Sequence, residues 1–146
     1  GWNTAAGEGS FTGNFDSLDD GRSFAESFVQ EGADIIMPVA GPVGLGSAAY
    51  CKETGSCMVV GVDVDWTVSA AEYADVVLTS VLKNVNVAVY DTIKAAVDGT
   101  FKGGVYVGTL KNGGVGLAAV SGASADLTAA LDKIKADIIS GAVSVK

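Results

Sequence analysis

The chain predicts an α/β fold: one mostly parallel sheet with helices on both faces. Short apolar, β-branched runs alternate with segments of helical period, which is the rhythm of βαβ units. The runs are continuous rather than alternating, as suits strands buried on both sides. At 146 residues and 14.6 kDa the chain has the length of a single domain, one able to bury roughly two thirds of its unfolded surface.

The elements follow in order. Residues 1–18 mix glycines and aromatics with polar spacers, which predicts a strand end followed by a loop. Ser17-Leu18-Asp19-Asp20 carries helix-start signals, with carboxylates where the macrodipole favours them. Phe24, Ala25, Phe28 and Val29 follow at helical spacing up to Gly32, so a helix is expected over 20–31. Ala33–Ala40 reads as a buried strand, Gly41–Gly46 as a glycine loop opening a helix, and Met58–Val62 as a second buried strand ending in Asp63-Val64-Asp65. Ser69-Ala70-Ala71-Glu72 has the capping-box pattern and would open a single turn.

Val76–Ser80 is the third predicted strand. A helix over 84–98 follows, with Val85, Val89, Ile93, Ala96 and Val97 on one face and Gly99 as its stop. Gly103–Leu110 and Val115–Val120 read as strands around Lys111-Asn112-Gly113-Gly114, in the manner of a hairpin. The last helix, over 124–140, has a stripe of Leu127, Leu131, Ile134 and Ile138 and ends at Gly141.

Composition narrows the chemistry. The net charge of −8 is spread along the chain with no basic cluster, so nucleic acid is not an expected partner. There is no histidine, which removes Ser-His-Asp chemistry, His-activated cysteines and His-containing zinc sites together. Apolar runs such as Asp75–Val81 stop well short of the roughly 20 residues that cross a bilayer. The two cysteines, Cys51 and Cys57, flank the turn Lys52–Ser56; a bridge and a pair of free buried thiols both fit that spacing. A bridge would imply an oxidising compartment. Running from Gly1-Trp2-Asn3 to Lys146, the chain is expected to be a piece of something longer.

Ligands of open α/β sheets bind at the carboxyl ends of parallel strands, which directs attention to Gly41 and Asp63. The loop Gly41-Pro42-Val43-Gly44-Leu45-Gly46 admits three readings: a phosphate cradle, a structural tight turn, or backbone donors for a neutral polar ligand. Its glycine spacing matches neither the dinucleotide fingerprint nor the phosphate loop. Asp63 and Asp65 read either as carboxylates capping the following turn or as ligand acceptors. Asp63 ranks first in the second role, because a carboxylate's two oxygens accept from both hydroxyls of a vicinal diol. Lys83, just before a helix, is badly placed for the macrodipole and calls for a carboxylate or ligand partner, unless it is a solvated surface lysine. Trp66 is expected to cover the sheet edge rather than stack on a ligand. No catalytic group, metal site or cofactor is expected.

Several segments resemble a known family. Gly32-Ala33-Asp34-Ile35-Ile36, Val39-Ala40-Gly41 with Gly44-Leu45-Gly46, Gly61-Val62-Asp63-Val64-Asp65 and Leu78-Thr79-Ser80-Val81-Leu82-Lys83 closely resemble the basic membrane lipoprotein family, substrate-binding proteins of ABC importers that include purine nucleoside receptors. Gly99–Gly104, Asn112–Leu117 and Asp137–Gly141 continue the match in order. The resemblance implies one Rossmann-like lobe of a type I periplasmic-binding-protein-like fold, with residues 1–146 as the second lobe and the first lobe absent. It implies that Gly41 lines the ligand and that Asp63 and Lys83 hold ribose hydroxyls. An aromatic that stacks on the base near Val39 in some nucleoside receptors is missing.

The function implied is an extracytoplasmic, lipid-anchored receptor that closes about a hinge on a nucleoside and is then recognised by an ABC permease. A sugar or polyol would suit the same diol-binding pair. A regulatory module that lost transport and a nucleotide-dependent enzyme domain are the readings from other classes. A lobe separated from its partner exposes the partner face, which favours self-association.

Overall fold

In the computed structural model, which describes residues 3–145, three of the α-helices start at side-chain caps and two stop at left-handed glycines. The Ser17 hydroxyl accepts from the Asp20 N–H and caps α1 (Leu18–Gln30), with Asp19 and Asp20 in the first turn. Gly32, at φ 95°, turns the chain into β1 (Ile35–Ile36). A 3₁₀ turn, Gly41–Val43, leads into α2 (Gly44–Thr54), which Gly55 ends in the left-handed region. Then come β2 (Met58–Asp63), the one-turn α3 (Trp66–Ser69), a 3₁₀ segment (Ala71–Val76) and β3 (Val77–Lys83). The chain closes with α4 (Val85–Val97), β4 (Val115–Leu117) and α5 (Ala125–Ser140), the last capped by Ser124 and stopped by Gly141.

The strands lie in the order β1-β2-β3-β4. The first three are parallel, joined by crossovers through α2 and through α3. β4 pairs antiparallel with the far end of β3, Val81 opposite Leu117 and Lys83 opposite Val115. The sheet is therefore mostly parallel. Helices flank both faces: Trp66 of α3 packs at Ser80, while α5 and Val81 line one groove, and neighbouring residues on a strand point to opposite faces.

Ala25, Ala48, Cys51, Cys57, Val59, Trp66 and Val77 form the buried core. α1 and α2 approach backbone to backbone through glycines. A Cβ on Gly21 would strike the Val43 carbonyl, and one on Gly46 the Leu18 carbonyl. Cys51 and Cys57 are joined by a disulfide, with Cα atoms 4.9 Å apart, tying the end of α2 to the start of β2.

Several expectations are corrected. The strand expected over 33–40 is reduced to Ile35–Ile36, because only β2 pairs with it and Pro38 brings no donor. No strand forms over 103–110, and Lys111–Gly114 is no hairpin turn. Val105 and Val107 are exposed there, and β4 takes its partner from β3 instead. The turn is built by Asn112, whose side-chain oxygen accepts from the N–H groups of Thr109 and Gly114. A turn does open over the expected stretch, the 3₁₀ segment Ala71–Val76, but no side chain caps it; Ser69 ends α3, whose own cap is Asp65. Before α1, the described residues hold an isolated bridge, Asn3 to Glu8, and no strand; Gly1 and Trp2 of that expected strand end lie outside the described residues.

The apolar stripe expected on α4 is present but uncovered. Val85, Val89, Ile93 and Val97 are each more than half exposed. Among the described residues no helix is long and apolar enough to cross a membrane.

Candidate functional site

β2 and β3 are neighbouring parallel strands, and their carboxyl ends deliver Asp63 and Lys83 side by side, with Asp63 in register with Leu82. The Lys83 ammonium lies 3.2 Å from Asp63 Oδ1. The partner that the helix-start position of Lys83 calls for is thus Asp63. Both side chains remain open, Asp63 55% and Lys83 68% exposed, so the pair forms an accessible rim and encloses nothing by itself.

The backbone at Asp63 is unusual. Among the described residues it is the non-glycine with positive φ, at 68°. The Val64 N–H donates to the Val62 carbonyl at 2.8 Å, so Asp63 forms the apex of a three-residue turn of the rarer hand. Such a conformation costs on the order of 1–3 kcal/mol and persists only where the surroundings impose it. The turn ends β2 at Asp63, so Asp65 does not continue the strand face as period two would have it. Asp65 caps α3 instead, accepting from the Thr67 N–H at 2.9 Å and the Thr67 hydroxyl at 2.7 Å.

Trp66 is a wedge on the sheet face, not a cover for its edge. It is 5% exposed, and its indole Nε1–H donates to the Val62 carbonyl at 3.0 Å. The ring occupies the space above Gly61, where a Cβ would sit 2.6 Å from it, and reaches Gly44, where a Cβ would sit 2.9 Å away. One side chain therefore spans from the strand that carries Asp63 to the loop that carries Gly41.

Gly41 adopts φ 56°, a conformation that suits glycine, while the space around it is ordinary. Much of the loop's donor capacity is used internally. Pro42 has no N–H, Val43 donates to the Phe15 carbonyl at 2.9 Å, and Gly44 donates back into the turn. These N–H groups are not free to cradle a phosphate. Beside the loop runs an open groove of 490 Å³ whose lining includes Phe11, Phe15, Met37 and Val39. Neither Asp63 nor Lys83 lines it. Phe11 and Phe15 were not singled out from the sequence; their spacing of four residues just ahead of a helix cap was the available signal.

Known proteins resemble the chain over most of its length. Residues 8–146 match the model of the Bmp family, described as ABC transporter substrate-binding protein PnrA-like. The chain is 32% identical over 149 residues to the ABC transporter nucleoside-binding protein BmpA of Lactococcus lactis subsp. cremoris, covering 92% of this chain and 42% of that protein. It is 35% identical over 111 residues to an uncharacterized lipoprotein of Pyrococcus abyssi, covering 73% of this chain and 27% of the relative. A crystal structure of an ABC transporter system solute-binding protein from Aeropyrum pernix K1 superposes with a TM-score of 0.76 at 26% identity, over 99% of this chain and 50% of that one. The chain thus spans half or less of the proteins it matches. With the family model matched over nearly its whole length, the chain belongs to the Bmp family of PnrA-like ABC transporter substrate-binding proteins.

Proposed function

We propose that the chain is the second lobe of an extracytoplasmic, lipid-anchored receptor of an ABC importer, and that its ligand is a nucleoside, a purine nucleoside first among them. The observation that carries the reading is the Asp63–Lys83 pair at the ends of two parallel strands. Asp63 would accept from both ribose hydroxyls, and Lys83 would donate to one of them while neutralising the carboxylate. Gly41 would bring backbone against the ligand. The relatives' names support the ligand class, one as a nucleoside-binding protein, and the lipoprotein name supports the location.

The reading is one of binding without catalysis. The chain has no histidine to serve as base, and the family is one of binding proteins. The openness of the pair fits one jaw of a clamp. A second lobe, in the half of the relatives' length that this chain does not span, would supply the remaining contacts and close about a hinge, and the closed form would be what a permease recognises. The exposed stripe of α4 fits a surface that the rest of such a protein covers, and would favour self-association where it does not.

The test is calorimetry of the full-length, two-lobed protein against adenosine, guanosine, inosine, uridine, ribose and AMP, repeated with Asp63→Ala. Nucleoside binding lost in the variant supports the proposal. Binding of ribose alone moves the ligand to sugars, and no binding anywhere favours a regulatory role. Tight nucleoside binding by the isolated 146-residue chain would contradict the two-jaw mechanism.

A further inference from the structure

We propose that Trp66 and Ser80 are positioning residues that hold Asp63 at the apex of its left-handed turn and so set the direction of its carboxylate; the inference rests on Asp63 being a ligand-binding group. The Val62 carbonyl accepts two hydrogen bonds, one from the Val64 N–H at 2.8 Å that closes the turn and one from the Trp66 indole at 3.0 Å. The second anchors the turn to a buried ring. The main chain that carries the ring is fixed in its own right, because the Trp66 backbone N–H donates to the Ser80 hydroxyl at 3.1 Å.

Ser80 is fully buried and lies in β3, three residues before Lys83. One hydroxyl thus links the strand that bears the lysine to the start of α3, three residues after the carboxylate. Gly61 completes the arrangement: a Cβ there would stand 2.5 Å from Ser80 Oγ and 2.6 Å from the indole. The ring also abuts Gly44, so the registration extends to the Gly41 loop. Neither Trp66 nor Ser80 needs to touch the ligand for this role.

The test compares Trp66→Phe, which keeps a ring but removes the indole donor, with Ser80→Ala and with Asp63→Asn as the control for the binding role. Two readouts are taken on the full-length protein: adenosine affinity, and the NMR couplings at residue 63 that report the sign of φ. Trp66→Phe and Ser80→Ala should each weaken adenosine binding on the order of tenfold and shift the residue-63 couplings away from positive φ. Asp63→Asn should weaken binding while keeping the couplings. Unchanged affinity and couplings in both positioning variants, with binding weakened in Asp63→Asn, would overturn the inference but leave the binding role of Asp63 standing. If Asp63→Asn leaves adenosine and ribose binding intact, the binding role fails, and the couplings alone then decide whether Trp66 and Ser80 hold the turn. Should Trp66→Phe not fold, Ser80→Ala carries both readouts.

Discussion

Lys83 and Asp63 meet at 3.2 Å across two parallel strand ends, with more than half of each side chain open to water. An ion pair so exposed contributes about 1 kcal/mol or less to stability, whereas a charged hydrogen bond to a bound hydroxyl is worth about 1.5–3 kcal/mol. Asp63→Asn and Lys83→Met should therefore leave the denaturation midpoint nearly unchanged and weaken nucleoside binding by about 10- to 100-fold in the full-length protein. Paired denaturant titration and calorimetry separate the two effects. A large stability loss with intact affinity would make the pair structural.

The contact between α1 and α2 should be the most sensitive place in the fold. Gly46→Ala drives a methyl group against the Leu18 carbonyl, which is backbone and cannot swing aside. A loss of about 3 kcal/mol, at the upper end for overpacking, is expected in urea denaturation. Gly103→Ala is the control: its added Cβ meets nothing within 4 Å, and the change should stay within about 0.5 kcal/mol. Equal effects at the two positions would refute the close-approach account.

The disulfide closes a short loop, Cys51 and Cys57 being six residues apart. The chain-entropy relation assigns about 2 kcal/mol to a loop of that size. Adding reductant, or making the Cys51→Ala/Cys57→Ala double variant, should lower stability by that order. A denaturation midpoint indifferent to reductant, with free thiols detected by alkylation only after reduction, would show that the bridge is decorative.

On the acid side, Arg22 and Glu53 tie α1 to α2, Nη1 to Oε2, at 2.6 Å. The hydrogen bond and charge of Arg22 hold the Glu53 carboxyl below its ordinary value of 4.5. A depressed folded-state value stabilises the fold above the unfolded value, and this contribution is lost as pH falls through the folded one. Glu53→Gln should accordingly flatten the pH dependence of stability below about pH 4.5 and leave it unchanged near neutrality. Both groups are exposed, so the effect is small and best read at low salt. An identical acid limb in the two proteins would remove the pair from the account.

Much of this was legible in the sequence because the signals were local. Ser17 announced a helix start, Gly32 and Gly141 announced helix stops, and the Met58–Val62 run could scarcely be anything but a buried strand. Residues 103–110 misled because Val105-Tyr106-Val107 has strand propensity, yet a strand requires a neighbour, and β3 takes β4. Asp63 and Lys83 could be named as strand-end groups, but their meeting depends on β2 lying beside β3. The role of Trp66 was hidden for a related reason. Its partners Gly44, Gly61 and Ser80 are scattered in sequence and converge only when the sheet forms.

With Asp63 binding the ligand as proposed, the left-handed backbone at residue 63 also limits how such a receptor could change that ligand by mutation. Aspartate, asparagine and glycine adopt that conformation with comparatively little strain; β-branched and bulky side chains do not. Of the three, only aspartate carries a charge. Selection for a new ligand would meet a narrow alphabet at this position and a broad one at residue 83, where the backbone is ordinary strand. Divergence in ligand preference should therefore be written first at the lysine position, with the carboxylate position changing late or only toward asparagine and glycine.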